Sequence, residues 1–84
     1  MYFRTFYYKK EKVMKLEEIK INTEYIKLDQ FLKYVNIVQS GAEAKYFITE
    51  NNIKVNGETV SQRGKKLRSG DKVDINGKLY IIMN

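Results

Sequence analysis

The sequence predicts an α+β domain: two short helices packed on a small, mostly antiparallel sheet. Three observations carry that prediction. Leu28, Phe31, Leu32 and Val35 recur at helical spacing. A second helical stripe, Ala44, Phe47 and Ile48, follows a Ser40-x-x-Glu43 capping box, whose hydroxyl and carboxylate suit the free N–H groups of a helix start. Beyond it, short apolar runs flank two Asn-Gly pairs, at 56–57 and 76–77, the strongest short hairpin signal. Helices first and short strands afterwards give an α+β order.

The opening segment, residues 1–13, is aromatic and basic with no period, and Met14-Lys15-Leu16 looks like an ordinary protein start. Residues 1–14 are therefore expected to be an N-terminal arm or a mis-assigned start, and residues 15–84 the domain. The segment holds four cations and one acid, so without it 12 cations and 9 acids remain and the net charge falls from +6 to +3. A basic function must then rest on where charges sit. A strand is expected over 18–26 (Ile19, Ile21, Tyr25, Ile26) with a turn near Asn22-Thr23. The first helix carries Asp29, Gln30 and Lys33 on its polar side and ends at Asn36. The second turns Ala42, Lys45, Tyr46 and Thr49 outward and stops at Asn51-Asn52, since asparagine tolerates the left-handed conformation. Strands follow at 53–55 and 59–60. A basic loop anchored by Leu67 comes next, then a turn at Ser69-Gly70-Asp71, then strands at 72–75 and 79–82.

With 84 residues there is room for one small domain. At 43% hydrophobic residues a modest core is available, unlike in a disordered chain. The net charge of +6 favours an anionic partner. Cysteine, histidine and proline are all absent. That excludes a disulfide framework and thiolate chemistry, and with no close carboxylate pair little is left for acid–base or nucleophilic catalysis. No metal-ligand spacing is present. The expectations are no enzymatic activity, no cofactor, no metal and no small-molecule substrate. No apolar run approaches the roughly 20 residues of a membrane span, and the N-terminus lacks a signal-peptide core. A cytoplasmic protein is expected, and a monomer, because no exposed apolar stripe is evident.

The densest signal is Arg63, Lys65, Lys66 and Arg68, four cations within six residues and no acid among them, with Gly64 in their middle. Such a cluster held out on a rigid hairpin suits backbone phosphate, whose condensed counterions are released on neutralisation. The plain alternative is a solvated loop. Ser40 is first a helix cap, and a helix start also offers N–H groups to a phosphate. Lys45 is outward on the second helix. Tyr46 beside it is read first as covering the sheet edge and second as stacking on a base. Asp29 suits the first helical turn and sits one turn before Lys33.

Lys27-Leu28-Asp29-Gln30-Phe31-Leu32, Ser40 with Ala44, Ile53-Lys54-Val55-Asn56-Gly57, Leu67 and Gly70-Asp71-Lys72-Val73 together resemble the S-four RNA-binding domain, or alpha-L motif. The similarity spans roughly Ile26 to Ile75, and the Gln62–Leu67 run looks most like its stand-alone YaaA-type members. The resemblance implies a fold with two helices on a small sheet and RNA against the helices and the neighbouring loop. Carried over, the RNA-facing positions are Lys27, Lys33, Ser40, Lys45, Arg63, Lys65 and Lys66, with Arg68 added from the cluster. It also implies structured, ribosomal RNA as the partner and a role in ribosome assembly or association. Two departures stand out: Lys27 where many members have arginine, and Gly41 where many have arginine after the serine. Arginine pairs with phosphate bidentately and lysine as a point charge. The hairpin pieces also look like the β-grasp sulfur carriers. The sequence here ends Ile82-Met83-Asn84 without Gly-Gly, and two helices before the main hairpins do not fit that fold. A membrane-surface or protein-interaction role for the basic aromatic segment is the remaining alternative.

Overall fold

The computed structural model describes the backbone of residues 3–8 and 14–84, with side chains from Leu16 onward. The elements run β1 (Phe3–Tyr8), β2 (Met14–Lys20), β3 (Tyr25–Lys27), α1 (Leu28–Tyr34), α2 (Gly41–Glu50), β4 (Ile53–Val55), β5 (Glu58–Val60), β6 (Lys66–Arg68), β7 (Lys72–Ile75) and β8 (Lys78–Met83). Six strands form one sheet in the order β1-β2-β8-β7-β4-β5, and β3 pairs with β6 in a separate ribbon. Within the large sheet only β2 against β8 is parallel. The predicted α+β class, with two helices on a mostly antiparallel sheet, is what the chain adopts.

Both Asn-Gly pairs make their hairpins. Asn56 and Gly57 have φ of 52° and 87°, and Asn76 and Gly77 have 51° and 89°. Two consecutive left-handed residues give the turn whose twist matches the strands on either side. Period-two alternation then buries Ile53 and Val55, Val73 and Ile75, and Tyr80 and Ile82 on one face. Leu28, Phe31 and Leu32 of α1 and Ala44 and Ile48 of α2 complete that core. The Phe31 ring meets Tyr80 edge-on, with centroids 5.3 Å apart. Each large apolar side chain removed from water here contributes roughly 1.5–3 kcal/mol.

Helix ends follow the sequence in part. Asn36 lies just past α1, which ends there as expected, and takes the left-handed conformation (φ 63°). Ser40 Oγ accepts the Glu43 N–H at 3.2 Å, but the Glu43 carboxylate accepts the N–H of Gln39 at 2.6 Å, one residue before the serine. Asn51 ends α2 in an extended conformation (φ −124°), not a left-handed one. Its N–H makes the last helical bond, to the Phe47 carbonyl at 2.9 Å, and its Nδ2 donates to the same carbonyl at 3.0 Å, while its extended backbone leads the chain out of the helix.

Three further differences matter. The strand expected over 18–26 is two strands in different sheets, separated by bends at 22–24. The carbonyl of Met83 accepts the Ile21 N–H at 2.8 Å, so β2 stays with β8 to its end, and β3 is released to pair elsewhere. The sheet face away from the helices carries Leu16, Leu79 and Ile81, half-buried, and Met83, exposed; an outward apolar stripe exists where none was expected. In the opening segment, β1 pairs with β2. Residues 1, 2 and 9–13 lie outside the described residues, and so does what was expected of them as an arm or a mis-assigned start. Among the described residues no helix is long and apolar enough to cross a membrane.

Candidate nucleic-acid interface

The candidate interface is built on the β3–β6 ribbon. Its register pairs Tyr25 with Arg68, Ile26 with Leu67 and Lys27 with Lys66. Alternation turns Leu67, which is fully buried, and Ile26 toward the core. The same alternation leaves Tyr25, Lys27, Lys66 and Arg68 on the opposite face. There the Lys66 ammonium lies 4.8 Å and the Arg68 guanidinium 5.6 Å from the centre of the Tyr25 ring. The ring's negative face holds the two cations in place. Lys27 and Lys66 stand directly opposite each other, a like-charge pair that disfavours the pairing.

This corrects the expectation of one basic loop holding out all four cations. Only residues 62–65 turn, with the Lys65 N–H donating to the Gln62 carbonyl at 3.1 Å; Lys66 and Arg68 belong to a strand. The cause is Leu67, which cannot reach the core unless its neighbours extend. The turn is also fastened. Helix α1 has no side-chain cap, and its first two N–H groups, of Leu28 and Asp29, donate to the carbonyls of Lys65 (2.8 Å) and Arg63 (3.0 Å). The basic turn thus satisfies amides that a helix start leaves free, and is fixed against α1 by doing so. Gly64 is not in the left-handed region, and a Cβ there meets nothing within 4 Å, so the turn does not require it.

At the other end of β6, Gly70 (φ 94°) turns the chain and Asp71 ties it down. The Asp71 carboxylate accepts the Arg68 N–H at 2.8 Å and the Asn56 Nδ2 at 3.1 Å, while Asn56 Oδ1 accepts the Lys72 N–H at 3.0 Å. The Asn-Gly and Gly-Asp pieces therefore hold β6 against the β4–β7 end of the sheet. Their part is structural.

Lys33 joins the ribbon across a groove. The bend after β2, strand β3 and helix α1 border an open groove of about 700 Å³, and Lys27 and Lys33 both line it. Asp29 does not orient Lys33; its carboxylate accepts the adjacent Gln30 N–H at 2.8 Å. Ser40 caps α2 and Lys45 lies within it, and no hydrogen bond, ion pair or shared groove links either to the ribbon among the described residues. Helix α2 also carries Glu43 and Glu50, which line a second groove with Tyr46. Tyr46 was expected to cover the sheet edge; it is 69% exposed.

The charges divide sharply. Lys78 is ion-paired to Glu17 beneath the sheet and lies 5.1 Å from the Tyr80 ring. Burial pulls the Lys78 pKa down, but the Glu17 hydrogen bond and the neighbouring charges outweigh it, so the value is raised. Burial likewise pushes the Tyr80 hydroxyl up. By contrast, none of Lys27, Lys33, Lys45, Arg63, Lys65, Lys66 and Arg68 is ion-paired to a carboxylate among the described residues. Nor does any group of acidic side chains suited to a metal appear among them. Sequence reasoning missed Tyr25, read only as the tail of a strand. Its signal is visible only once β3 is paired with β6, where its partner Arg68 stands 43 residues on in the chain.

Comparison with known proteins agrees with this architecture. Residues 19–83 match the family model described as S4 domain. A Bacillus subtilis (strain 168) protein named probable ribosome maturation protein RlbA is 49% identical over 59 residues, covering 70% of this chain and 83% of that relative. With the family match spanning both helices, the ribbon and the sheet from β4 to β8, the chain belongs to the S4 domain family.

Proposed function

We propose that this protein is a non-catalytic RNA-binding module that grips structured RNA through its phosphates, with ribosomal RNA as the target and ribosome assembly or association as the setting. One observation carries the proposal. Lys27, Lys33, Arg63, Lys65, Lys66 and Arg68 gather on one ribbon, its turn and the adjoining helix α1, with no carboxylate paired to any of them among the described residues. The opposed Lys27 and Lys66 make sense when a phosphate lies between them. The S4 domain match and the name of the Bacillus relative support RNA and the ribosome as the context. Phosphate contacts of this kind set position and register and read shape, which suits a bend or junction in folded RNA. Lys45 and the Ser40 cap supply outlying contacts along α2. The Glu43 carboxylate beside that cap opposes an anion there, so their share is small.

The test is the salt dependence of binding to a folded ribosomal RNA fragment. Replacing Arg63, Lys65 and Lys66 together by alanine should lower the log–log salt slope by about 2, at about 0.7–0.9 per lost phosphate contact. Far-ultraviolet circular dichroism should be unchanged. Equal affinity and slope for both proteins would remove the turn from the interface.

A further inference from the structure

Phosphate contacts do not account for the groove between the bend after β2, strand β3 and α1. Its volume, about 700 Å³, falls in the range of about 300–1,000 Å³ common to small-ligand sites. Ile21 and Ile26 supply apolar wall, and Tyr25 and Tyr34 supply rings. The Tyr34 hydroxyl donates to the Lys20 carbonyl at 2.8 Å, which fixes that ring between β2 and α1. Gln30 lines the groove with an exposed side-chain amide that makes no hydrogen bond among the described residues. A free amide offers one donor and one acceptor side by side, the pattern that meets a base edge. Lys27 and Lys33 flank the opening, and Tyr25 carries Lys66 and Arg68 over its ring. The groove is therefore aromatic, partly polar and rimmed by unpaired cations.

From this juxtaposition we infer that the groove takes one unpaired base of the bound RNA, packed against Tyr34, bordered by the Tyr25 ring whose face holds Lys66 and Arg68, and met at its edge by Gln30. The phosphates on either side of that base fall to Lys27, Lys33 and Lys66. The inference rests on the phosphate-gripping function proposed above and adds to it: the ribbon supplies grip, and the groove supplies a preference for RNA with an extruded nucleotide. An unpaired base is the fitting occupant because its flat faces suit tyrosine rings and its linked phosphates suit the rim.

Two fluorescein-labelled hairpin RNAs test it, one with a single bulged adenosine and one with an abasic residue at the bulge. Both keep the same phosphates. At low salt the full chain should bind both, and the intact bulge about ten-fold more tightly. Gln30→Ala, a change at an exposed side chain, should cut that preference several-fold and leave the abasic hairpin's affinity within about two-fold. With 5-iodouridine at the bulge, photocrosslinks should map to Tyr25 or Tyr34. Equal affinity for the two hairpins, with both weakened by the Arg63, Lys65 and Lys66 replacement, would overturn the base site and leave the phosphate grip standing. A crosslink at Tyr46 would move the base to α2 and overturn it too. Binding of neither hairpin would overturn both proposals.

Discussion

The β3–β6 ribbon and helix α2 both present cations at the surface, and they are built in opposite ways. On α2, Lys45 shares ten residues with Glu43 and Glu50, and Glu43 is committed to the helix start. On the ribbon and its adjoining turn, Lys27, Arg63, Lys65, Lys66 and Arg68 meet no paired carboxylate among the described residues. Two of them rest on Tyr25, and two stand opposed across the strands. Helix α2 carries its own acids, whereas the ribbon and its turn carry none, which is what the proposed phosphate partner would answer. Their charge differs accordingly: α2 carries Lys45 against Glu43 and Glu50, and the ribbon with its turn carries five cations and no acid.

Breaking the ribbon's anchor has the largest expected effect. Leu67→Ala removes a fully buried side chain, so unfolding in urea should show a loss of about 2–5 kcal/mol. RNA affinity should fall with it, because β6 loses the residue that holds Lys66 and Arg68 in register with β3. A Leu67→Ala protein of unchanged stability would mean the ribbon is held by something else. Smaller is the effect of restoring a family feature on the poorer surface. Gly41 opens α2, its Cβ would meet nothing within 4 Å, and it is not in the left-handed region. Gly41→Arg should fold normally and tighten RNA binding a few-fold by adding a phosphate contact. No gain would place the start of α2 outside the interface. Smallest is Lys45→Ala, for which fluorescence anisotropy should show less than about a two-fold loss. A loss equal to that of the Arg63, Lys65 and Lys66 replacement would erase the contrast between the regions.

Much of this was legible in the sequence. Helical spacing, the Ser40 cap and the Asn-Gly pairs act locally, so Leu28 to Tyr34, the start of α2 and both hairpins could be read from neighbouring residues. The ribbon could not be read that way. Two three-residue strands separated by some forty residues carry no periodicity of their own, and Tyr25-Ile26 looked like the end of β2. The parallel β2–β8 pairing was hidden for the same reason. The cations of the candidate interface were visible as a run, but their arrangement was not. Lys27 faces Lys66 only through register, and Arg63 is fastened to α1 by a backbone carbonyl that no side-chain pattern reveals.

Lys27 and Lys66 face each other across the ribbon, and the proposed function puts a phosphate between them. A single substitution separates that from a structural role. In Lys27→Gln the side chain stays polar, is somewhat shorter and loses its charge, so at low salt the free protein should be as stable as wild type or slightly more so, while RNA affinity falls several-fold. Both are measured on one preparation, by urea unfolding and by anisotropy with a ribosomal RNA fragment. A less stable protein with undiminished RNA affinity would contradict the account.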